Sequence, residues 1–190
     1  MSKKFTRSTK ETKIKTSVKI YGNGKAKINT GIQYLNHMLE IFSFHSLIDI
    51  KLDATGDFIH HIAEDVGISL GNCISNELGE RNGIRRFGSS SVPMDDALAS
   101  ASIDLAKRVY TVIDLKIEKE GVEDMISEDI YHFIRSLTTA INCNIHINVE
   151  YGENDHHKIE AAFKALALAF RKAVSVDLKR KGTPSSKGLM

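Results

Sequence analysis

Residues 56–64 read GDFIHHIAE, and residues 152–160 read GENDHHKIE. Each segment places a glycine four residues before a pair of histidines and a glutamate three residues after the pair. An isolated histidine precedes each pair, His37 by 23 residues and His132 by 24 residues. A motif that recurs with matched spacing is typical of an internal repeat. The sequence therefore predicts a tandem duplication.

The composition is that of a globular chain with no strong charge bias. Of the 190 residues, 42% are hydrophobic and 26% are charged, and the formal net charge is +2. This balance argues against nucleic acid or an anionic membrane as partner. The longest apolar stretch is far shorter than the roughly 20 residues of a membrane span, and no apolar segment of a secretory signal follows the basic amino terminus. We expect a cytoplasmic protein whose two cysteines are buried and reduced.

Periodicity predicts the α+β class, with two repeats at approximately residues 1–90 and 91–190 of a single domain. Apolar residues recur at helical spacing around each isolated histidine and after each histidine pair, which predicts four amphipathic helices. The predicted strands are residues 13–20, 25–29, 47–52, 102–105, 110–117 and 144–150. Residues 121–128 are interpreted as a loop between the halves.

The repeated histidines and glutamates form a metal-binding pattern. Residues three and four apart share a helix face, so both histidines of a pair can flank the following glutamate. Adjacent residues point about 100° apart, however, so the two imidazoles of one pair are predicted to serve different ions. Two sets of four ligands leave two positions of a six-coordinate ion open for water or substrate. The predicted ligands are His37, His60, His61, Glu64, His132, His156, His157 and Glu160.

The ligand types narrow the metal without identifying it. A shell of imidazole and carboxylate without thiolates fits manganese, iron, cobalt or zinc, and near-octahedral coordination favours manganese or ferrous iron. Two further histidines are not assigned as ligands. His146 occupies an alternating strand position that suits a packed core histidine equally well. His45, eight residues after His37, could face the same cavity.

Six segments of the chain resemble the imidazoleglycerol-phosphate dehydratases. They are STKET (8–12), GIQYLNHML (31–39), HHIAEDVGISLG (60–71), RFGSSSVPMDDAL (86–98), YGENDHHKIEAAFKAL (151–166) and PSSKG (184–188). The resemblance implies two units like the second domain of ribosomal protein S5, with two β-sheets packed with four helices. It also implies two Mn²⁺ ions per active site, bound by the eight ligands above, and a 24-subunit homo-oligomer with active sites at subunit interfaces.

The activity that this resemblance implies is a hydro-lyase reaction in L-histidine biosynthesis. D-erythro-imidazoleglycerol phosphate would lose water to give imidazole acetol phosphate, and the manganese pair would stabilise an imidazolate form of the substrate. Glu11, Glu64 and Glu160 are the implied catalytic residues. The implied substrate contacts are Glu11, His37, His45, His60, His61, Glu64, Arg86, Arg108, Ser185, Ser186 and Lys187.

The basic and hydroxyl residues in that set suit a phosphate group. Guanidinium groups bind phosphate oxygens bidentately, and a lysine adds a point charge. Without the resemblance, Arg86 and Arg108 are ordinary surface charges, and residues 179–190 are an unstructured tail. Asp95 has two interpretations as well, a substrate contact or a helix cap.

Two departures from the family pattern bear on the site. Phe58, Ile59 and Ile62 stand near the first histidine pair where the family usually has two aspartates and a threonine. We therefore expect the first repeat to lack a carboxylate that orients a ligand histidine, which would weaken its metal binding. Residues 106–109 keep Arg108 but lack the usual glycine and proline, which predicts altered phosphate positioning.

Two other functions use the same residues. A binuclear hydrolase would use the ligands to activate water against a phosphate ester. A non-catalytic protein would use the ions to join subunits or to store metal, and then the cations Arg86, Arg108 and Lys187 would have no purpose.

Overall fold

The computed structural model describes residues 2–188, which form two similar halves. The first half contains β1 (Lys3–Ser8), β2 (Thr12–Lys19), β3 (Ala26–Asn29), α1 (Gln33–Ser46), β4 (Asp49–Gly56) and α2 (Ile59–Leu78). The second contains β5 (Phe87–Met94), β6 (Ala97–Asp104), β7 (Tyr110–Asp114), β8 (Gly121–Val122), β9 (Met125–Ile126), α3 (Ser127–Ile141), β10 (Asn144–Tyr151) and α4 (Asp155–Val174). None of the helices within residues 2–188 combines the length and hydropathy needed to cross a membrane.

The two main sheets have the same topology. Their strand orders are β1-β2-β4-β3 and β5-β6-β10-β7. In each sheet the last pair is parallel, β3 with β4 and β7 with β10, and the other pairs are antiparallel. The α+β class with two sheets, four helices and a duplicated unit is therefore confirmed.

Each sheet buries one face under the long helix of its own half. Helix α2 packs on β1, β2 and β4, and α4 packs on β5, β6 and β10. Alternate strand residues point toward these helices, as Ile14 and Val18 of β2 do, and are buried. Burial of each such side chain contributes about 1.5–3 kcal/mol relative to exposure.

The shorter helices pack across the two halves. Helix α1 of the first half lies against α4 of the second, and α3 of the second half lies against α2 of the first. Two glycines allow α2 and α3 to approach closely. A Cβ atom at Gly67 would lie 2.8 Å from the carbonyl oxygen of Phe133, and one at Gly71 would lie 2.7 Å from that of Leu137. Because each short helix packs against the long helix of the other half, His37 on α1 lies near α4 and His132 on α3 lies near α2.

The structure corrects several sequence-based boundaries. Strands β1 and β5 were not predicted, because β1 is a charged edge strand and β5 contains a glycine, three serines and Pro93, which an edge strand tolerates. The predicted strand 102–105 is the end of the longer β6. Residues 121–128 are not a plain loop, since they form the β8–β9 hairpin and the start of α3.

Candidate active site

The first cluster of candidate ligands joins α1 to α4. The Nε2 atoms of His37 and His156 each lie 3.5 Å from Oε2 of Glu160. His156 and Glu160 share one face of α4 because they are four residues apart. Atoms that bind one ion at about 2.1 Å stand roughly 3–4 Å from each other, so this spacing suits a single metal ion.

The second cluster joins α2 to α3 and contains His60, Glu64 and His132. One ligand atom from each side chain lies within 4.8 Å of the others. Nδ1 of His132 is buried and has no hydrogen-bond partner among the described residues. A buried nitrogen without a partner is costly. A metal ion bound at this cluster would place an electron-pair acceptor beside the His132 ring.

A carboxylate holds Nδ1 of each paired histidine. The pairs are Asp129 with His60 (2.7 Å), Asp57 with His61 (2.8 Å), Glu123 with His156 (3.0 Å) and Asp96 with His157. Such partners orient the ring and leave Nε2 free to bind a metal. The donor set and its orientation therefore fit two metal ions.

The expectation that the first repeat lacks an orienting carboxylate is wrong. Phe58 and Ile59 carry no carboxylate, but Asp57 and Asp129 supply one to each histidine of the first pair. Asp57 was detectable from the sequence, because it lies four residues before His61. Asp129 comes from α3, so local spacing gave no signal for it.

His61 and His157 belong to neither cluster of described residues. Each cluster therefore contains three of the four ligands that the sequence predicted for one ion. Nδ1 of His61 lies 3.9 Å from Oε2 of Glu11, and Nε2 of His157 lies 3.6 Å from Oδ2 of Asp95. The hydrogen bond to Asp57 raises the pKa of His61, and the hydrogen bond to Asp96 raises the pKa of His157.

Glu160 is kept ionised by its neighbours. Burial alone would raise the pKa of its carboxyl group, but Lys164 and His37 lower it overall. Nζ of Lys164 lies 2.7 Å from Oε1 of Glu160. Lys164 is not among the residues predicted from the sequence, although it lies four residues after Glu160 on the same helix face.

The two unassigned histidines differ in location. His45 is partly buried, and its pKa is lowered overall, because burial and Lys164 outweigh the opposite effect of Glu160. The influence of Glu160 places His45 within electrostatic reach of the His37 cluster. His146 is exposed on the outer face of the second sheet, with its ring centroid 6.1 Å from that of Tyr110. It is neither a cluster member nor a core residue.

The predicted phosphate contacts line one cavity of about 310 Å³. Its lining residues are Arg86, Ala106, Lys107, Arg108, Ser185, Ser186 and Lys187. Arg86 forms two hydrogen bonds with the carboxylate of Asp104, at 2.6 and 2.9 Å, and donates to the carbonyl oxygen of Pro184 at 3.0 Å. The carboxy-terminal segment therefore contributes Lys187 to the lining of this cavity, which we call the cation-rich cavity.

The cation-rich cavity and the His37 cluster lie near opposite ends of α4. The backbone N–H of Arg86 donates to the carbonyl oxygen of Ala173, near the carboxyl end of that helix. Glu160 precedes Ala173 by thirteen residues. At 1.5 Å per residue, this separation is roughly 20 Å along the axis.

The chain is similar in sequence to known dehydratases over most of its length. The family model for imidazoleglycerol-phosphate dehydratase matches residues 30–170. The imidazoleglycerol-phosphate dehydratase of Clostridium botulinum (strain 657 / Type Ba4) is 45% identical, over 98% of this chain and 97% of the relative. That of Methanothermobacter thermautotrophicus is 47% identical, over 96% and 94%. The chain belongs to the imidazoleglycerol-phosphate dehydratase family.

Solved structures of dehydratases share the fold. The crystal structure of the Staphylococcus aureus dehydratase has a TM-score of 0.85 and 32% identity, covering 93% of this chain and 99% of that one. The Pyrococcus furiosus dehydratase, crystallised with (S)-C348, has a TM-score of 0.84 and 36% identity, covering 97% and 99%. The family acts in histidine biosynthesis as lyases (EC 4.2.1.19), so the expected enzyme class is confirmed.

Proposed function

We propose that this dehydratase converts D-erythro-imidazoleglycerol phosphate to imidazole acetol phosphate in the cytoplasm, with two Mn²⁺ ions. The observation that carries the proposal is the pair of histidine and glutamate clusters, each built across the two halves. The His37 cluster would hold one ion and the His60 cluster the other. When bound, the ions would supply positive charge that stabilises the deprotonated imidazole ring of the substrate, whose electrons then expel the hydroxyl group.

The protein's own carboxylates divide into two roles. The reaction removes a proton from one side-chain carbon and a hydroxyl group from the next, and the resulting enol tautomerises to the ketone. Among the candidate proton carriers, Glu64 and Glu160 lie inside the clusters, and Glu160 is held ionised. Glu11 is exposed beside His61 and outside both clusters, so it is the best placed to carry a proton.

One chain cannot present both sites to one substrate molecule. The cation-rich cavity lies roughly 20 Å from Glu160 along α4, whereas only a three-carbon chain joins the substrate's ring to its phosphate. We therefore infer a homo-oligomer in which a cluster of one chain faces the cavity of another, and we propose the 24-mer that the family resemblance implies. Within it, Arg86, Arg108, Ser185, Ser186 and Lys187 would bind the phosphate.

Two surface features support this assembly. His61 and His157 lie outside the clusters of their own chain and are available to complete the coordination of ions in another. Phe58, Ile59 and Ile126 are 65%, 45% and 49% exposed and line one surface cavity beside the first histidine pair, and a contiguous exposed apolar patch commonly marks a protein interface. The two repeats would then act as one domain over residues 1–190.

The proposal is tested by stripping the protein with chelator and restoring it with Mn²⁺. We expect two ions per chain and recovered formation of imidazole acetol phosphate. His132→Asn should lose activity and bind one ion fewer, whereas the matched control His146→Asn should retain both. Two bound ions without dehydration, or release of inorganic phosphate from the substrate, would contradict the lyase assignment and favour the structural or hydrolase function.

A further inference from the structure

Arg81 is a buried cation that faces backbone carbonyl groups. The residue is 2% exposed, and the nearby carboxylate of Asp104 is hydrogen-bonded to Arg86 rather than to Arg81. Nη1 donates to the carbonyl oxygens of Leu105 at 2.6 Å and Asn142 at 2.8 Å, and Nη2 donates to that of Ile141. A buried charge without a counter-ion is expensive, and these three bonds offset part of that cost, whereas Nε has no hydrogen-bond partner among the described residues.

The three carbonyl groups belong to two different segments. Ile141 and Asn142 end α3, where the helix dipole is negative and favours a cation. Leu105 begins the loop 105–108, which carries Lys107 and Arg108 into the wall of the cation-rich cavity. The guanidinium group of Arg81 therefore ties this loop to the end of α3.

The residues that follow Arg81 hold the opposite wall of the cavity. The hydroxyl of Thr183 lies 3.0 Å from Oδ1 of Asn82, and the backbone N–H of Gly83 donates to the carbonyl oxygen of Gly182 at 2.9 Å. Both contacts lie just before Ser185. Residues 81–86 thus touch the loop 105–108 on one side and the carboxy-terminal segment on the other.

The backbone of Arg81 adds a further sign of constraint. Its φ angle is 56°, in the left-handed region that residues other than glycine adopt at an energetic cost. Its backbone N–H donates to the carbonyl oxygen of Leu78 at 3.1 Å, so both the backbone and the side chain of Arg81 are hydrogen-bonded in this conformation.

We propose that Arg81 is a positioning residue for phosphate recognition, which sets the loop 105–108 against residues 182–187. This inference rests on the proposed function, because it takes the cavity as the phosphate site. Loss of the guanidinium group releases Arg108 and Lys107 from α3 and separates them from Lys187. His60 and His132 lie in the amino-terminal halves of α2 and α3, whereas Arg81 contacts the carboxyl end of α3. Metal binding therefore does not depend on Arg81.

The test compares Arg81→Met and Arg81→Lys with the wild-type manganese enzyme. The readouts are kcat, KM, metal content, and the calorimetric dissociation constant of inorganic phosphate, corrected for binding that survives in Arg108→Ala. We expect Arg81→Met to raise KM and the phosphate dissociation constant about tenfold or more, with two ions per chain and a much smaller change in kcat. Arg81→Lys should recover part of the loss, because it restores the cation.

A destabilised control separates positioning from stability. Ile50 is fully buried in β4 of the first sheet, and Ile50→Ala should lower Tm without changing KM or phosphate binding. If Arg81→Met lowers Tm in the same way and leaves KM and phosphate binding unchanged, the proposal is overturned. If Arg81→Met does not fold, Arg81→Lys and Asn82→Ala carry the test, and unchanged KM in both overturns it.

The proposal and the underlying function can fail separately. If the wild-type protein binds phosphate in the cavity but does not dehydrate imidazoleglycerol phosphate, the proposed function fails, and the phosphate dissociation constants still decide the role of Arg81. If the wild-type protein binds no phosphate that Arg108→Ala removes, the positioning role is overturned as well.

Discussion

The imidazole rings of His60 and His132 lie with their centroids 4.8 Å apart, although the two residues belong to different halves of the duplicated chain. His37 and His156 are related in the same way, at 6.0 Å. Within residues 2–188, neither half alone contains a complete cluster, because the isolated histidine of each half lies beside a histidine of the other half's pair. Both clusters therefore depend on the packing of the two halves against each other.

The carboxylate of Asp129 should control metal binding at the His60 cluster. Asp129 holds Nδ1 of His60 at 2.7 Å, and loss of such a partner typically weakens metal binding about 10- to 100-fold. We expect Asp129→Ala to weaken the binding of one ion of the two, measured by metal titration with elemental analysis. Asp53→Ala removes an exposed carboxylate from β4 and serves as the control. Equal weakening of both ions would contradict this assignment.

The close approach of α2 and α3 predicts that Gly71→Ala is destabilising. Alanine in a helix is normally favoured over glycine by about 0.5–1 kcal/mol. At Gly71, however, a Cβ atom would lie 2.6 Å from Cβ of Ala140, and such overpacking costs about 1–3 kcal/mol. We expect a net loss of stability in chemical denaturation and weaker metal binding at the His60 cluster than at the His37 cluster. Asn76→Ala, at an exposed position of α2, should not destabilise the protein.

Asp49 predicts a pH-dependent contribution to stability. Its carboxylate accepts backbone N–H groups of Asn23 at 2.8 Å and Lys25 at 3.0 Å. Burial alone would raise the pKa of Asp49, but these bonds and nearby lysines lower it overall. A carboxyl group whose pKa is lowered on folding stabilises the protein above its unfolded pKa of about 3.9, and this stability is lost as pH falls through the folded pKa.

The measurement is the difference in unfolding free energy between the wild type and Asp49→Asn from pH 7 to pH 3. We expect the variant to be less stable at pH 7 and the difference to shrink toward zero at the acid end. Asp114→Asn, in the edge strand β7, is the control. A difference that stays constant with pH would show that the charge of Asp49 contributes nothing.

Local patterns predicted the helices and the identity of the clustered side chains. Helical spacing placed α1, α2, α3 and α4. The duplicated pattern of an isolated histidine, a histidine pair and a glutamate selected all six cluster residues, together with His61 and His157, which belong to neither cluster. The helices and the spacing of each pair to its glutamate depend on neighbours within about one helical turn, which a sequence displays directly, whereas the isolated histidines were found from the repeat.

Contacts between distant segments could not be predicted in this way. The orienting carboxylates Glu123 and Asp129 reach their histidines across 33 and 69 residues. Strand β5 was not predicted because its serines and Pro93 are typical of turns. An edge strand tolerates a proline because one side of the strand has no partner strand to receive hydrogen bonds. Arg81 gave no signal either, since its partners are backbone carbonyl groups that any residue carries.

Complementation between inactive variants should reveal whether the active site combines two chains. His132→Asn damages a ligand cluster, and Arg108→Ala damages the cation-rich cavity, so each variant alone should be inactive. If a cluster of one chain works with the cavity of another, random co-assembly in equal amounts leaves about one quarter of the sites intact, because each half of a site is intact with a probability of about one half. We therefore expect about a quarter of wild-type activity after the two variants are dissociated, mixed and reassembled with Mn²⁺.

A mixture of Arg108→Ala with Lys187→Ala damages every cavity and should stay inactive. If the His132→Asn mixture also stays inactive although mixed oligomers are detected by mass spectrometry, cluster and cavity must act within one chain.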